Sequence, residues 1–225
     1  MRVNLLAGVG LSALLGCGGN NNTDEPVETV RRYEGIITVV AVNSSEGDVT
    51  LEGTDTRIVE ARFTPSSDGD NFQGQLSSNG RLSLGSVCQD GQLGCGTNID
   101  VTMPNNIEFE VDTQRGNIML DGLGFGGEVR SVVGTVTAVD LGQVDLEVTT
   151  QNAAQDLEFR LQPVRVSMDG GATGNLTIRL PPGDYQFDIA TNGRLVFESG
   201  EVRDAEFGPE IQMNTGTGEV IVDRN

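Results

Sequence analysis

The sequence predicts an all-β fold, built as a single-domain β-solenoid from units of about 18–20 residues. Glycine is abundant, with 31 residues, whereas aromatic residues make up only 4% of the chain. Strands interrupted by many glycine turns have this composition, and long helices do not. The chain has 225 residues, which is enough for one medium-sized β domain preceded by a targeting segment.

A repeated phrase supports the solenoid, and it is clearest between Val111 and Gly122. It consists of a strand, a turn at Gly116, and a second strand in which Ile118 and Leu120 alternate with residues facing the other way. An apolar residue followed closely by Ser, Thr or Asn usually precedes the glycine. Apolar residues stand two and four positions after Gly47, Gly80, Gly116, Gly134, Gly174, Gly193 and Gly218, and a degenerate copy has Gln155 in the glycine position.

The spacing of these glycines separates the solenoid from its main alternative. Gly116 and Gly134 lie 18 residues apart, Gly174 and Gly193 lie 19 apart, and most other intervals are close to twice that length. Units of this size cannot bury a face alone and are stabilised by stacking, as in a solenoid. A β-sandwich also has strands at intervals of roughly 8–12 residues with glycine turns, and it remains the alternative. The shared phase of the copies favours the solenoid.

The N-terminus predicts export and lipid anchoring. Arg2 supplies a positive charge, and an apolar run from Leu5 to Leu15 is too short to span a bilayer, so residues 1–16 are interpreted as a signal peptide. Leu14-Leu15-Gly16-Cys17 resembles the lipobox of bacterial lipoproteins, which implies lipidation at Cys17. Residues 17–32 form a flexible tether, and residues 33–225 form the β-repeat domain. Gly18 after the cysteine favours the outer membrane, by resemblance to the sorting rule of enteric lipoproteins.

The two ends of the β domain are predicted to close the stack. Residues 33–42 are the most β-prone run in the chain and are expected to form a first, capping strand. The tail from Glu210 to Asn225 is interpreted as a last strand pair with polar ends, which would oppose end-to-end association.

The repeated phrase, together with Val101-Thr102-Met103-Pro104 and the units after it, resembles the putative-adhesin family of bacterial β-strand-repeat domains. The resemblance covers roughly residues 35–223. It implies a β-solenoid and a location in the cell envelope, and it supplies no active site. These motifs are structural rather than catalytic.

Composition excludes several classes of function. The formal net charge is −19, and the chain has no Lys and no His. So acidic a surface repels phosphates, which argues against binding to nucleic acid or anionic lipid. The absence of His also removes Ser–His catalysis and most zinc chemistry. No cofactor is expected.

Cys88 and Cys95 flank a Gly-rich turn and are predicted to form a disulfide after export. Closing so short a loop stabilises by roughly 2.5 kcal/mol in the chain-entropy model. A metal site would need further thiol or imidazole ligands, and a redox pair would have closer cysteines beside a βαβ pattern.

Carboxylates supply the remaining candidate sites. Glu108, Glu110 and Asp112 alternate with Ile107, Phe109 and Val111, so the three share one face of a strand. They are candidate calcium ligands, but a solvated outer face that repels edge pairing is the simpler interpretation. Asp68 and Asp70 form a second candidate calcium loop, which is more typical of a turn. Glu108 and Glu110 also fit an acid–base pair of a polysaccharide-active enzyme.

The sequence therefore favours a lipid-anchored envelope protein that displays a rigid β-solenoid for adhesion or envelope scaffolding, without catalysis. Its expected contacts are the membrane, through the lipid at Cys17, and an envelope protein or polysaccharide. A polysaccharide-active enzyme and a calcium-dependent carbohydrate- or protein-binding module are the alternatives. If function lies in departures from the repeat, residues 62–78 and 86–97 are the main candidates.

Overall fold

A computed structural model describes residues 27–66, 71–87, 96–198 and 202–225. The regular secondary structure in these ranges is β-strand, which confirms the all-β prediction. No helix long and apolar enough to cross a membrane occurs among the described residues.

Ten strands form the first sheet. In spatial order they are β1 (Thr29–Tyr33), β4 (Val59–Pro65), β7 (Thr97–Pro104), β3 (Val49–Thr54), β9 (Ile118–Asp121), β11 (Val136–Leu141), β13 (Gln155–Phe159), β15 (Leu176–Leu180), β20 (Val220–Arg224) and β17 (Leu195–Phe197).

Ten strands also form the second sheet. In spatial order they are β18 (Val202–Asp204), β16 (Gly183–Ala190), β19 (Glu210–Asn214), β14 (Arg165–Asp169), β12 (Asp145–Thr150), β10 (Gly127–Val133), β8 (Glu108–Arg115), β2 (Val39–Ser44), β6 (Arg81–Val87) and β5 (Asn71–Leu76).

Between β8 and β15 the chain alternates between the two sheets. From β10 onward, each strand in this stretch pairs in parallel with the strand two positions earlier, as β10 does with β8 and β11 with β9. Alternate side chains of both sheets point inward, so one hydrophobic core contains Phe109 and Val129 of the second sheet and Ile118 and Val136 of the first. One repeat unit thus supplies one strand to each sheet.

This architecture corrects the solenoid prediction. Two ten-stranded sheets enclose the core, which is the layer arrangement of the sandwich alternative rather than a closed solenoid. Both sheets are mixed, because β1 and β4 run antiparallel to their neighbours in one sheet and β5 does so in the other. Period-2 alternation looks the same in both architectures, and most of the repeated glycines lead into a strand of the first sheet, so their shared phase also arises with two packed sheets.

Both predicted caps are also wrong. The β-prone run ends in β2, which lies inside the second sheet between β6 and β8. The tail forms β19 and β20, which lie between β14 and β16 and between β15 and β17. These strands fill interior positions because their inward residues, such as Val40 and Ile211, are fully buried. Residues 29–32, assigned to the tether, belong to β1.

A column of glycines forms the corner between the second sheet and the first. Gly116 and Gly134 have φ angles of 139° and 141°, and a Cβ on Gly134 would lie 2.0 Å from the carbonyl oxygen of Gly116. The turn predicted at Gly116 is therefore confirmed, and its positive φ favours glycine. Gly80 differs from the other copies, because it leads into β6 of the second sheet rather than into the first.

Buried hydroxyl groups accompany this corner, and they explain the Ser or Thr in the repeated phrase. Ser44, Thr113, Ser131 and Thr150 lie in register on neighbouring strands and point into the interior. Ser131 donates to the carbonyl of Gly134 at 3.2 Å, and Thr150 donates to that of Ala153 at 3.0 Å. The Ser131 and Thr150 hydroxyls thus satisfy carbonyl groups that the turns leave without a strand partner, whereas the Thr113 hydroxyl has no partner among the described groups.

In the degenerate copy, the position that corresponds to the turn glycine lies two residues before the predicted one. Gln155 pairs with Val136, two positions after Gly134, so Ala153 occupies the glycine position. The Gln155 side chain is buried, and its Nε2 donates to Thr150 Oγ1 at 3.1 Å and to the Asp169 carbonyl at 2.6 Å. Hydrogen bonding thus allows a polar residue to occupy an inward position that is apolar in the other copies.

Candidate functional site

The outer side of the second sheet carries most of the sequence-predicted carboxylates. Phe109 and Val111 of β8 are buried, so Glu108, Glu110 and Asp112 point to solvent, as the alternation predicts. We call the outer side of β8, β10 and β12 the acidic face. Its carboxylates are Glu108, Glu110, Asp112, Glu128, Asp145 and Glu147.

Strand register aligns three of these carboxylates in a row. Glu110 pairs with Glu128, and Glu128 pairs with Glu147, so each lies one strand from the next. Adjacent strands are separated by about 4.8 Å, and at that spacing like charges repel. Alternation in the sequence groups Glu108, Glu110 and Asp112 on one strand and Asp145 and Glu147 on another, but it does not show that the two strands share a face. The alternation around Val129 could have identified Glu128, but its neighbours depend on strand pairing.

Arginine side chains offset this repulsion. Arg81 binds both carboxylate oxygens of Glu110, at 2.5 and 2.6 Å. Arg130 contacts Glu128, and Arg165 contacts Asp145 at 3.0 Å. The hydrogen bond from Arg81 lowers the pKa of Glu110, and the bond to Glu110 raises the pKa of Arg81. The acidic face is therefore a surface of alternating charges with an excess of carboxylates.

Two depressions lie on this face where small residues replace long side chains. The first, of about 310 Å³, lies over Ala41 and is bounded by Arg81, Glu110 and Arg130. The second, of about 500 Å³, lies beside Gly126. A Cβ on Gly126 would lie 2.4 Å from the carbonyl oxygen of Asp145, so only glycine fits at this position.

The second depression combines apolar walls with carboxylates. Phe125 is 52% exposed and Val164 is 60% exposed, and both border it together with Glu108 and Glu147. An exposed aromatic ring beside negative charge suits a ligand with an apolar surface and a positive or neutral polar group. Sequence reasoning missed Phe125 and Val164, because both lie in turns outside the repeated phrase.

The calcium prediction at Glu108, Glu110 and Asp112 stays a prediction. In the four described ranges no three His, Cys, Asp or Glu side chains converge on a point that could hold a metal ion. Glu110 is already bound through both oxygens by Arg81. Asp68 and Asp70 lie outside the described residues.

The electrostatics argue against Glu110 as the general acid of the predicted acid–base pair with Glu108. A general acid at neutral pH requires a carboxyl group with a raised pKa, whereas the Arg81 bond lowers that of Glu110. Both depressions are open to solvent and share their borders with surface ion pairs. This arrangement suits binding rather than proton transfer.

The remaining sequence-predicted residues fall elsewhere. Cys17, Cys88 and Cys95 lie outside the described residues, so the lipidation and the disulfide remain predictions. Of the two departures from the repeat, residues 62–78 include most of β4 and all of β5. These are antiparallel strands near one end of the sheets, so that departure has a structural role.

Comparison with known proteins identifies the fold. No protein-family model matches the chain, and no curated protein matches it. A putative cell adhesion protein from Clostridium sporogenes has a similar structure, with a TM-score of 0.50 and 14% identity, over 89% of this chain and 100% of that one. A putative adhesin from Bacteroides fragilis has a TM-score of 0.51 and 12% identity, over 87% and 97% of the two chains. At these identities the likeness shows a common fold.

Proposed function

We propose that this protein is a lipid-anchored cell-envelope protein that presents its two-sheet domain for adhesion or envelope scaffolding, and that the acidic face makes the contact. The observation that carries the proposal is the open, ion-paired face of β8, β10 and β12, with its two depressions and exposed Phe125. The fold likeness to two proteins described as putative adhesins supports an extracytoplasmic binding role.

The charge of the face limits the partner. Six carboxylates lie close together on three neighbouring strands, and three arginines contact some of them. A strongly anionic polymer is repelled by this face, whereas a basic protein surface or a neutral or amine-bearing polysaccharide is accepted. The walls at Phe125 and Val164 offer apolar contact to such a ligand.

The anchor belongs to the same proposal. Residues 1–26 lead to β1, which is the edge strand at one end of the first sheet. A lipid on Cys17 would hold this end near the outer membrane and leave the opposite end projecting away from it.

Attachment to defined surfaces tests the binding proposal. Full-length protein is applied to surfaces coated with polylysine, chitosan, dextran or alginate, and the retained protein is quantified. A face variant carries Glu128→Gln, Asp145→Asn and Glu147→Gln. Its matched control carries Asp100→Asn, Asp121→Asn and Glu158→Gln, the same charge change on the outer side of the first sheet.

We expect retention on a basic or neutral coating that the face variant loses and the control keeps. Equal retention of both variants would show that the acidic face is not the contact surface. Release of reducing ends or unsaturated products from a coating would instead identify an enzyme. The anchor is tested separately by Cys17→Ser, which is expected to move the protein from the membrane fraction to the soluble fraction.

A further inference from the structure

The two ends of the sheets differ in how far the core is covered. At the β1 end, Phe72 stacks on Phe63 with ring centroids 4.1 Å apart, and the Arg31 guanidinium covers Phe72 at 4.2 Å. The edge strand there carries Arg31 and Arg32. Charged side chains on an edge strand oppose further pairing, so this end is closed.

The core is open at the β17 end. Leu195 and Phe197 are in register with Val220 and Val222, which are buried, yet each is 46% exposed. Phe187 of the second sheet packs edge-on against Phe197, with centroids 5.5 Å apart, and is only partly buried. The two sheets therefore end on inward-facing apolar side chains that no further strand covers among the described residues.

The outer backbone groups of β17 also pair with no strand in the part of the chain that the structure describes. The Arg194 carbonyl accepts from Val220 and the Glu198 amide donates to Val222, so the groups of β17 that face β20 are used. In a parallel ladder the N–H and C=O groups of alternate residues point in opposite directions, so those of Leu195 and Phe197 point away from the sheet. β17 itself carries no charged side chain that would block an added strand.

The edge of the second sheet at this end is more obstructed than the β17 edge. β18 pairs with the start of β16, and Asp204 Oδ1 accepts a hydrogen bond from the Phe187 amide at 3.3 Å. The β17 edge of the first sheet is therefore the place at this end where a strand can be added.

The charged residues around the open end determine which kind of segment can bind there. Exposed carboxylates surround the open end at Asp188, Glu198, Asp204 and Glu206, whereas Arg194 forms an ion pair with Glu219. Two copies meeting through this end would bring these carboxylates together, which opposes a symmetric dimer. The N-terminal segment of the same chain joins the sheet at β1, which lies at the opposite edge.

We propose that the β17 edge binds an extended segment of a partner protein as an added strand of the first sheet. The segment alternates apolar side chains, which cover Leu195 and Phe197, with basic side chains, which meet the surrounding carboxylates. This inference extends beyond the proposed function, because it assigns a second contact at a different place from the acidic face.

Peptide binding tests the inference on the full-length protein. The probe is a fluorescein-labelled seven-residue peptide that alternates Arg and Val, and binding is followed by fluorescence anisotropy. One comparison peptide has Glu in place of Arg, and another is N-methylated at alternate amides, so that it keeps its side chains but cannot form strand hydrogen bonds. Phe197→Ser tests the site. Leu161→Ser is the matched control, because Leu161 is exposed to almost the same extent as Phe197 but borders neither depression of the acidic face.

We expect the Arg–Val peptide to bind, and both comparison peptides and Phe197→Ser to weaken binding by roughly tenfold or more. Leu161→Ser should bind as the unchanged protein does. Phe197 lies at an edge, so Phe197→Ser is expected to fold. Thermal unfolding at the same temperature as the unchanged protein checks this. Absence of binding, or equal binding of the N-methylated peptide, refutes strand addition. Self-association in sedimentation that Phe197→Ser removes would assign the edge to a second copy and overturn the inference.

Discussion

Arg81 and Glu110 form a bidentate ion pair across the strand that separates them, with distances of 2.5 and 2.6 Å. Arg81 lies on β6, Glu110 lies on β8, and β2 runs between them. The contact is diagonal, because Arg81 is in register with Val39 of β2 and Glu110 with Ala41. The small Ala41 side chain leaves space above β2 for the two side chains to meet. The pair thus forms part of the wall of one depression and fixes the orientation of Glu110.

Breaking this pair is expected to cost little stability. Both side chains are more than a third exposed, so Glu110→Gln should destabilise by only about 0.5 kcal/mol. Because the pKa of Glu110 is lowered in the folded state, its contribution is present above the ordinary glutamate pKa and is lost as pH falls through the lowered value. Urea unfolding of the single and double variants with Arg81→Gln, at neutral and acidic pH, measures the coupling. If the coupling free energy between Arg81 and Glu110 is the same at acidic and neutral pH, the coupling does not come from the ion pair.

Substitution in the glycine column is expected to cause a much larger loss of stability. Gly134→Ala places a Cβ 2.0 Å from the Gly116 carbonyl oxygen, at a φ of 141° that L-residues rarely adopt. We expect destabilisation of about 3 kcal/mol or more, measured by urea unfolding. Gly96→Ala is the control, because its nearest neighbours are 3.5 Å from the added Cβ and it should lose little stability. Similar losses for the two variants would argue against the stacked corner.

The buried hydroxyls provide a matched pair of substitutions. Thr215 Oγ1 donates to the Gly174 carbonyl at 2.8 Å, so Thr215→Val leaves that carbonyl without its partner and should destabilise by about 1–2 kcal/mol. Thr113 Oγ1 is buried without a partner among the described groups. Thr113→Val should therefore be neutral or stabilising. Thermal and urea unfolding give the comparison, and the reverse order would show that the hydroxyls do not act through the turn carbonyls.

The two tyrosines are expected to resist ionisation. Burial raises the pKa of Tyr185 to about 12 and also raises that of Tyr33. Tyr185 contributes stability fully below its unfolded pKa of about 10, and this contribution is lost as pH rises from there through about 12. With only two tyrosines and no Trp, absorbance at 295 nm reports both groups. Full tyrosinate absorbance near pH 10 in the folded protein would contradict the prediction. An absorbance change at higher pH that Tyr185→Phe removes is assigned to Tyr185.

Cys88 and Cys95 are predicted to be unreactive after export. If they form a disulfide and Cys17 carries lipid, maleimide should label the denatured protein only after reduction, and then at two positions. Mass spectrometry of the labelled peptides gives the result. Labelling of either cysteine without reduction would show that the pair is not formed.

Local pattern was sufficient for part of the candidate site. Alternation along β8 identified Glu108, Glu110 and Asp112 as one outward set. It could not identify Arg81 as the partner of Glu110, because the two residues are 29 positions apart and meet only through the pairing of β2 with both their strands. Phe125 and Val164 were missed for a different reason: both lie in turns, and turns carry no periodic signal.

The sequence by itself determined that the chain forms β-strands, which residues turn inward, and where the corners require glycine or a buried hydroxyl. These properties follow from the conformational limits of each residue and from period-2 alternation, which act over a few neighbours. Only the tertiary structure decided the order of strands in the sheets, including the interior positions of β2 and β19, the grouping of the acidic face, and the open edge at β17. Those depend on which strands pair, and pairing is set by burial of the whole core rather than by any local pattern.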